Sequence, residues 1–211
     1  MCNRARNRAE PETLIARFSA ADWLNPKPMD NRFNPVELRP KGRAYVIREE
    51  GGRRGLDVTG WDVLGDQAKW PMTNVRNLAL PQWRRLAERP ENRCLIPLTE
   101  FCEWTPDVHD VGGGKPIKGE MWFACTDQPV FAVAGFWQRT AEGAGFTMVT
   151  CDPNELVAPI HPKAMITILH ESDWKQWLEC PLDNVVDFQR PYPTELMTVR
   201  GPVFPTRETT S

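Results

Sequence analysis

The chain has 211 residues, 41% hydrophobic and 26% charged, with a formal net charge of −2. That length suits one domain able to bury roughly 70% of its unfolded surface without cross-links, and the balance gives no global nucleic-acid signal. The longest apolar runs, "VFAVAGFW" and "AMITILH", are strand-sized, which excludes a membrane-spanning helix of roughly 18 residues.

The opening "MCNRARNRAE" places a cysteine directly after the initiator methionine. A small second side chain permits removal of Met1, leaving Cys2 with a free α-amine and a thiol on adjacent carbons; an uninformative terminus is the plain alternative. Residues 1–54 hold 12 Lys+Arg against 7 Asp+Glu, so the remainder carries −7. That polarity permits an anionic ligand on one face, or is a fluctuation on a solvated surface.

"PETLIARFSA" follows, with Pro11 suited to a first helical turn and Leu14, Ile15 and Phe18 on one face, an amphipathic helix. The loop "NPKPMDNRFNPVELRP" leads into strand-like runs: "RAYVIRE", "GLDVTGWDVL", "RCLIPL", "MWFACT", "VFAVAGFWQ", "FTMVTC" and "AMITIL". Shorter helices are expected at "PQWRRLAER" and "ESDWKQWLE", the latter with Trp174, Trp177 and Leu178 on one side. The fold class is α+β, a curved, barrel-like mixed β-sheet core with peripheral helices. A single domain is expected over residues 1–200, with 201–211 a disordered tail. The six cysteines are scattered and no apolar secretory region precedes them, so they are expected reduced, in a cytoplasmic protein.

Four constellations could carry chemistry. In "TNVRN", Asn74 and Arg76 share a face if extended, where an amide and a guanidinium could orient a nucleophile and bind a phosphate; a turn or surface strand is the alternative. In "RCLIPLTEFCEWT", Glu103 stands between Phe101 and Trp104, and a carboxylate pressed between aromatics has a raised pKa suited to acid/base work. Glu100 competes but looks more exposed. In "VAPIHPKAMITIL", His161 sits at a loop-to-strand junction, as a site residue or a structural histidine. Phe33 after Arg32, and Trp61 and Trp70 ahead of Asn74, offer faces that could stack unpaired bases, or belong to the core. Cys94, Cys102 and His109 lack zinc-ligand spacing and "GGGK" lacks the context of a phosphate loop, so neither metal nor cofactor is expected.

In order and spacing, "MCNR", "NVR", "RCLIPLTEFCEW", "VAGFW", "VTCDPNELVAPIH" and "HPKAMITIL" resemble the SOS response-associated peptidase (SRAP) family over nearly the whole chain. Asn3, Leu78, Cys102 and the Lys163-Ala164-Met165 triplet depart from the family pattern. The resemblance implies covalent capture of abasic sites in single-stranded DNA, at replication-associated junctions, by a nucleoid-associated monomer. In that chemistry the Cys2 amine forms a Schiff base with the sugar aldehyde and its thiolate closes a thiazolidine. The resemblance further implies that Glu103 moves protons, Asn74 orients Cys2, His161 shuttles protons near the sugar, and Arg4 and Arg76 hold flanking phosphates. It also implies hydrolase-type self-processing at Met1 and lyase activity. Two other readings stay open: a peptidase or amidase with Cys2 as N-terminal nucleophile, and a non-covalent single-strand-binding module.

Overall fold

The computed structural model describes residues 2–26, 36–65, 68–78, 80–112, 115–141 and 143–204. The strands are β1 (Arg4–Arg6), β2 (Glu37–Leu38), β3 (Arg43–Glu50), β4 (Arg53–Gly60), β5 (Asn74–Val75), β6 (Arg93–Leu98), β7 (Glu100–His109), β8 (Ile117–Cys125), β9 (Phe131–Thr140), β10 (Gly143–Cys151), β11 (Met165–Ile166), β12 (Ile168–Leu169) and β13 (Met197–Val203). The helices are α1 (Pro11–Arg17), α2 (Pro81–Ala87), α3 (Trp174–Glu179) and α4 (Leu182–Val185).

Strands β10, β4, β3, β6 and β9 pair in that order, and β9 pairs back with β10, closing a five-stranded barrel. β6, "RCLIPL", is buried at every position, as a strand covered on both faces should be. Alternation along β3 sends Ala44 and Val46 to one core cluster and Tyr45 and Ile47 to another. The second cluster takes the apolar faces of the helices, including Leu14, Phe18, Trp83, Trp174 and Trp177. Arg93, fully buried among them, donates to the carbonyls of Ala87, Trp177 and Cys180, which occupies acceptors that the ends of α2 and α3 would otherwise strand.

A second sheet, ordered β13-β8-β7-β1-β2, packs one face against the first cluster. Ala5, Phe101 and Phe123 lie in register across it, and the two phenyl rings stack at 4.9 Å. This pairing draws the start of the chain between sheet and barrel, so the α+β barrel-like class holds.

Three boundaries differ from the sequence expectation. β4 ends at Gly60, because the Asp62 carboxylate accepts from Leu64 N and Met72 N and turns the chain out of the strand. "AMITIL" is two short strands, since Thr167 marks the crossing from β10 to β9. The expected tail is corrected at its start: Gly201–Val203 belong to β13, where Val203 pairs with Glu120, and residues 205–211 lie outside the described ones. Among the described residues no helix is long and apolar enough to cross a membrane.

Candidate functional site

β5 is only two residues long, yet it holds the start of the chain. It runs parallel to β10, pairing Asn74 with Met148. From there Asn74 Nδ2 donates to the Cys2 carbonyl at 2.9 Å and to Thr73 Oγ1 at 2.9 Å. Cys2 is 1% exposed, and its Sγ donates to the Arg4 carbonyl at 3.3 Å. Burial pushes the thiol well above the ordinary cysteine range, and the negative charge of Glu103 pushes it further.

Glu103 is 2% exposed and lies opposite Met121 on β8. Burial raises its carboxyl to about 7, partly opposed by the positive charge of the chain's amino terminus. Its aromatic setting differs from the sequence expectation. On a pleated strand Phe101 and Glu103 point one way and Trp104 the other, so Trp104 is 37% exposed instead of walling the carboxylate. Glu100, the competing carboxylate, pairs with Arg6, Arg8 and Arg200. Both Glu103 Oε1 and Asn74 Oδ1 are buried with no hydrogen-bond partner among the described residues.

His161 follows the turn after β10. Its Nδ1 lies 2.7 Å from the Ala164 carbonyl and 3.2 Å from the Ala164 N–H, so the backbone of Ala164 holds the ring in either tautomer. Burial lowers its pKa, and the amino-terminal positive charge contributes in the same direction. Glu103 and His161 therefore both sense the start of the chain, and Asn74 bonds to it. Four residues scattered over 160 positions of sequence thus converge.

The basic residues behave differently. Arg76 Nη1 donates to the carbonyls of Cys151 at 3.0 Å and Lys163 at 2.5 Å, and Nη2 pairs with Asp152. Arg76 is thus a strut for the segment that carries His161, though it is 44% exposed on its side chain. Arg4 is ion-paired with Glu37 at 3.1 Å and with buried Glu120, whose other oxygen accepts from Trp122 Nε1 at 3.0 Å. Two carboxylates already neutralise a guanidinium that the family resemblance assigns to phosphate.

The aromatic expectation needs correction at one position. Trp61 is fully buried, parallel to Phe146 at 6.2 Å, with its indole N–H on the Thr73 carbonyl, so no base can reach its ring. Trp70 is 72% exposed, and Phe33 lies outside the described residues. Sequence reasoning missed Glu120 and Asp152, whose roles come from cross-strand register and loop closure, with no local motif to announce them.

Comparison with known proteins gives a consistent outcome. The family model described as SOS response associated peptidase (SRAP) matches residues 1–203. A Bacillus subtilis (strain 168) protein and one from Bacillus phage SPbeta, each named abasic site processing protein YoqW, are 27% identical over 192 residues, covering 84% of this chain and 80% of theirs. A crystal structure from Bordetella bronchiseptica superposes with TM-score 0.73 at 22% identity, covering 94% of this chain and 98% of that one. Another, from Bacteroides thetaiotaomicron, gives 0.75 at 20% identity, covering 94% and 90%.

Proposed function

The chain belongs to the SOS response associated peptidase family, and from that premise and the geometry around Cys2 we propose that it captures abasic sites in single-stranded DNA as a covalent thiazolidine. The observation that carries the reading is the pair of unpartnered buried acceptors, Glu103 Oε1 and Asn74 Oδ1, beside the start of the chain. Buried acceptors without partners are costly, and an α-ammonium on Cys2 offers three donors to such a pair. The names of the Bacillus relatives point to the same class of substrate.

Once Met1 is removed, the Cys2 amine attacks the C1′ aldehyde of the ring-opened sugar. The carbinolamine loses water to give an imine, and the thiolate adds to the imine carbon while the nitrogen takes a proton. One water leaves in all, and a five-membered ring remains. An internal cysteine, lacking the amine, would stop at a reversible thiohemiacetal. A carboxyl with its pKa near 7 can accept the ammonium proton and return one to the departing hydroxyl, so Glu103 is the acid/base. Asn74 fixes the terminal residue through its carbonyl, and His161 serves proton movement at the sugar oxygens. The thiol has to lose its proton against burial and the Glu103 charge, so protonation of Glu103 eases thiolate formation.

Exposed Trp70 and Trp104 supply faces for unpaired bases, favouring a single strand. A denaturing gel tests the reading: the purified protein with a single-stranded abasic oligonucleotide should give a shifted, heat-stable band, and Cys2→Ser should give none. An intact oligonucleotide bound equally well without a covalent band would support a non-covalent module, and turnover of an added peptide would support a peptidase.

A further inference from the structure

We propose that the polar end of the barrel is a second ligand site, one that takes a phosphomonoester of mononucleotide size. A cavity of about 680 Å³ opens there, in the range typical of small-molecule sites. It is walled by β3, β4, β9 and the start of β10, and lined by Lys41, Arg43, Arg48, Thr59, Trp137 and Arg139 among others.

The site is separate from Cys2. Ala144 on β10 lines the cavity, whereas Met148, four positions on and so about 13 Å away along the strand, pairs with Asn74. Between them Phe146 stacks on Trp61, and both rings are fully buried. An apolar plug thus divides the two ends of the barrel.

The donors and acceptors lining the cavity are unequal. Two carboxylates contribute to it, and both are engaged within the protein. Asp57 Oδ1 accepts from Val58 N at 2.8 Å and Asn25 Nδ2 at 3.0 Å; Oδ2 accepts from Arg48 Nε at 2.8 Å and the same amide at 3.0 Å. Asp62 Oδ1 accepts from Leu64 N at 3.2 Å and Met72 N at 2.9 Å. Arg139 pairs with Glu50 at 2.5 Å but remains mostly exposed.

Arg48 is ion-paired through Nη2 to Asp57 at 2.7 Å and Glu50 at 3.2 Å, but two buried donors retain unused hydrogens. Arg48 and Thr59 are each 2% exposed, yet Arg48 Nη1 and Thr59 Oγ1 have no hydrogen-bond partner among the described residues. Lys41 reaches the rim from a left-handed backbone (φ 65°), a conformation that costs a residue with a Cβ and that gathers at ligand clamps. The Lys41 ammonium, Arg48 Nη1 and Thr59 Oγ1 are the donors left to meet an anion, and together they match the oxygens of a phosphate. The remaining volume admits the group that the phosphate esterifies.

Isothermal titration in phosphate-free buffer tests this on the whole protein. Deoxyadenosine monophosphate should bind at one site and deoxyadenosine should not. Lys41→Gln should weaken binding about tenfold by removing a charge-assisted contact, and Thr59→Val, which removes an unpartnered buried hydroxyl and so should still fold, about threefold. Cys2→Ala should bind as the parent does. If a 5′-phosphorylated oligonucleotide binds in a manner sensitive to Lys41→Gln and the free nucleotide does not, the same site reads a strand end. Absence of binding by both probes, or equal binding to the parent, Lys41→Gln and Thr59→Val, overturns the proposal.

Discussion

Cys102 and Glu103 are neighbours on one strand, and the two faces they enter have opposite electrostatic characters. On the outer face of the second sheet, Arg4 has Glu37 and Glu120, Arg6 has Glu37 and lies over Trp122 at 3.6 Å, and Arg200 has Glu100. On the inner face, Glu103 is as deeply buried as Trp122 but keeps one oxygen unpartnered, and Asn74 does likewise. A matched network of charges fixes the path of β1. An unmatched carboxylate with a pKa near 7 holds a proton that can move. In the proposed chemistry this contrast separates residues that position Cys2 from those that would work on its substrate.

The largest effect should come from the inner face. Glu103→Gln keeps shape and hydrogen bonding but removes the titrating group, so single-turnover crosslinking to an abasic oligonucleotide should slow by a factor on the order of 100. Affinity for intact single-stranded DNA should stay near the parent value. The same substitution should sharpen the contrast through stability. Because burial raises the carboxyl pKa from 4.5 to about 7, the folded protein holds that proton more tightly, and stability falls as pH rises from 4.5 through about 7. The loss amounts to about 3 kcal/mol by pH 8. Denaturant melts at pH 5 and pH 8 should show this decline in the parent and its absence in Glu103→Gln, making the slower variant the more stable one at pH 8.

An intermediate effect is expected at the boundary between the two regions. Arg76→Ala releases the Lys163 carbonyl and loosens the segment carrying His161, so crosslinking should slow by about tenfold, the cost of roughly one charge-assisted contact. Crosslinking kinetics should also show His161→Ala slowing formation less than Glu103→Gln does, with its larger effect on crosslink reversal.

The smallest effect tests the outer face. If Arg4 is a strut, Glu120→Gln leaves the salt dependence of DNA binding unchanged. If Arg4 is a phosphate contact held in reserve, freeing it from a carboxylate should steepen the slope of log K against log salt by about 0.7, the value for one single-strand phosphate. Filter binding across a salt series distinguishes the two.

Much of the architecture was legible because periodicity survives into three dimensions. Pro11, Leu14 and Phe18 declare α1, and the unbroken apolar run of β6 declares a strand covered on both sides. The four candidate site residues were legible mainly through the ordered motifs, since the spacing of Asn74 and Arg76 by itself also suits a surface strand. The structure divides that pair between two tasks, Asn74 on Cys2 and Arg76 on the Lys163 carbonyl. What sequence could not provide depends on register. Trp61 resembles a stacking residue until pairing places it against Phe146, and no local motif announces that β8 brings Glu120 to Arg4. Trp104 was misplaced by reading neighbours in sequence as neighbours in space, an error that strand alternation exposes.

Intact mass spectrometry of the protein after reaction with an abasic oligonucleotide and denaturation tests the central claim most directly. The account predicts a single adduct whose mass is the protein without Met1 plus the oligonucleotide, less one water, resistant to heat and borohydride because the imine has closed to a ring. An adduct that retains Met1, or full crosslinking by a Cys2→Ser variant, would contradict it.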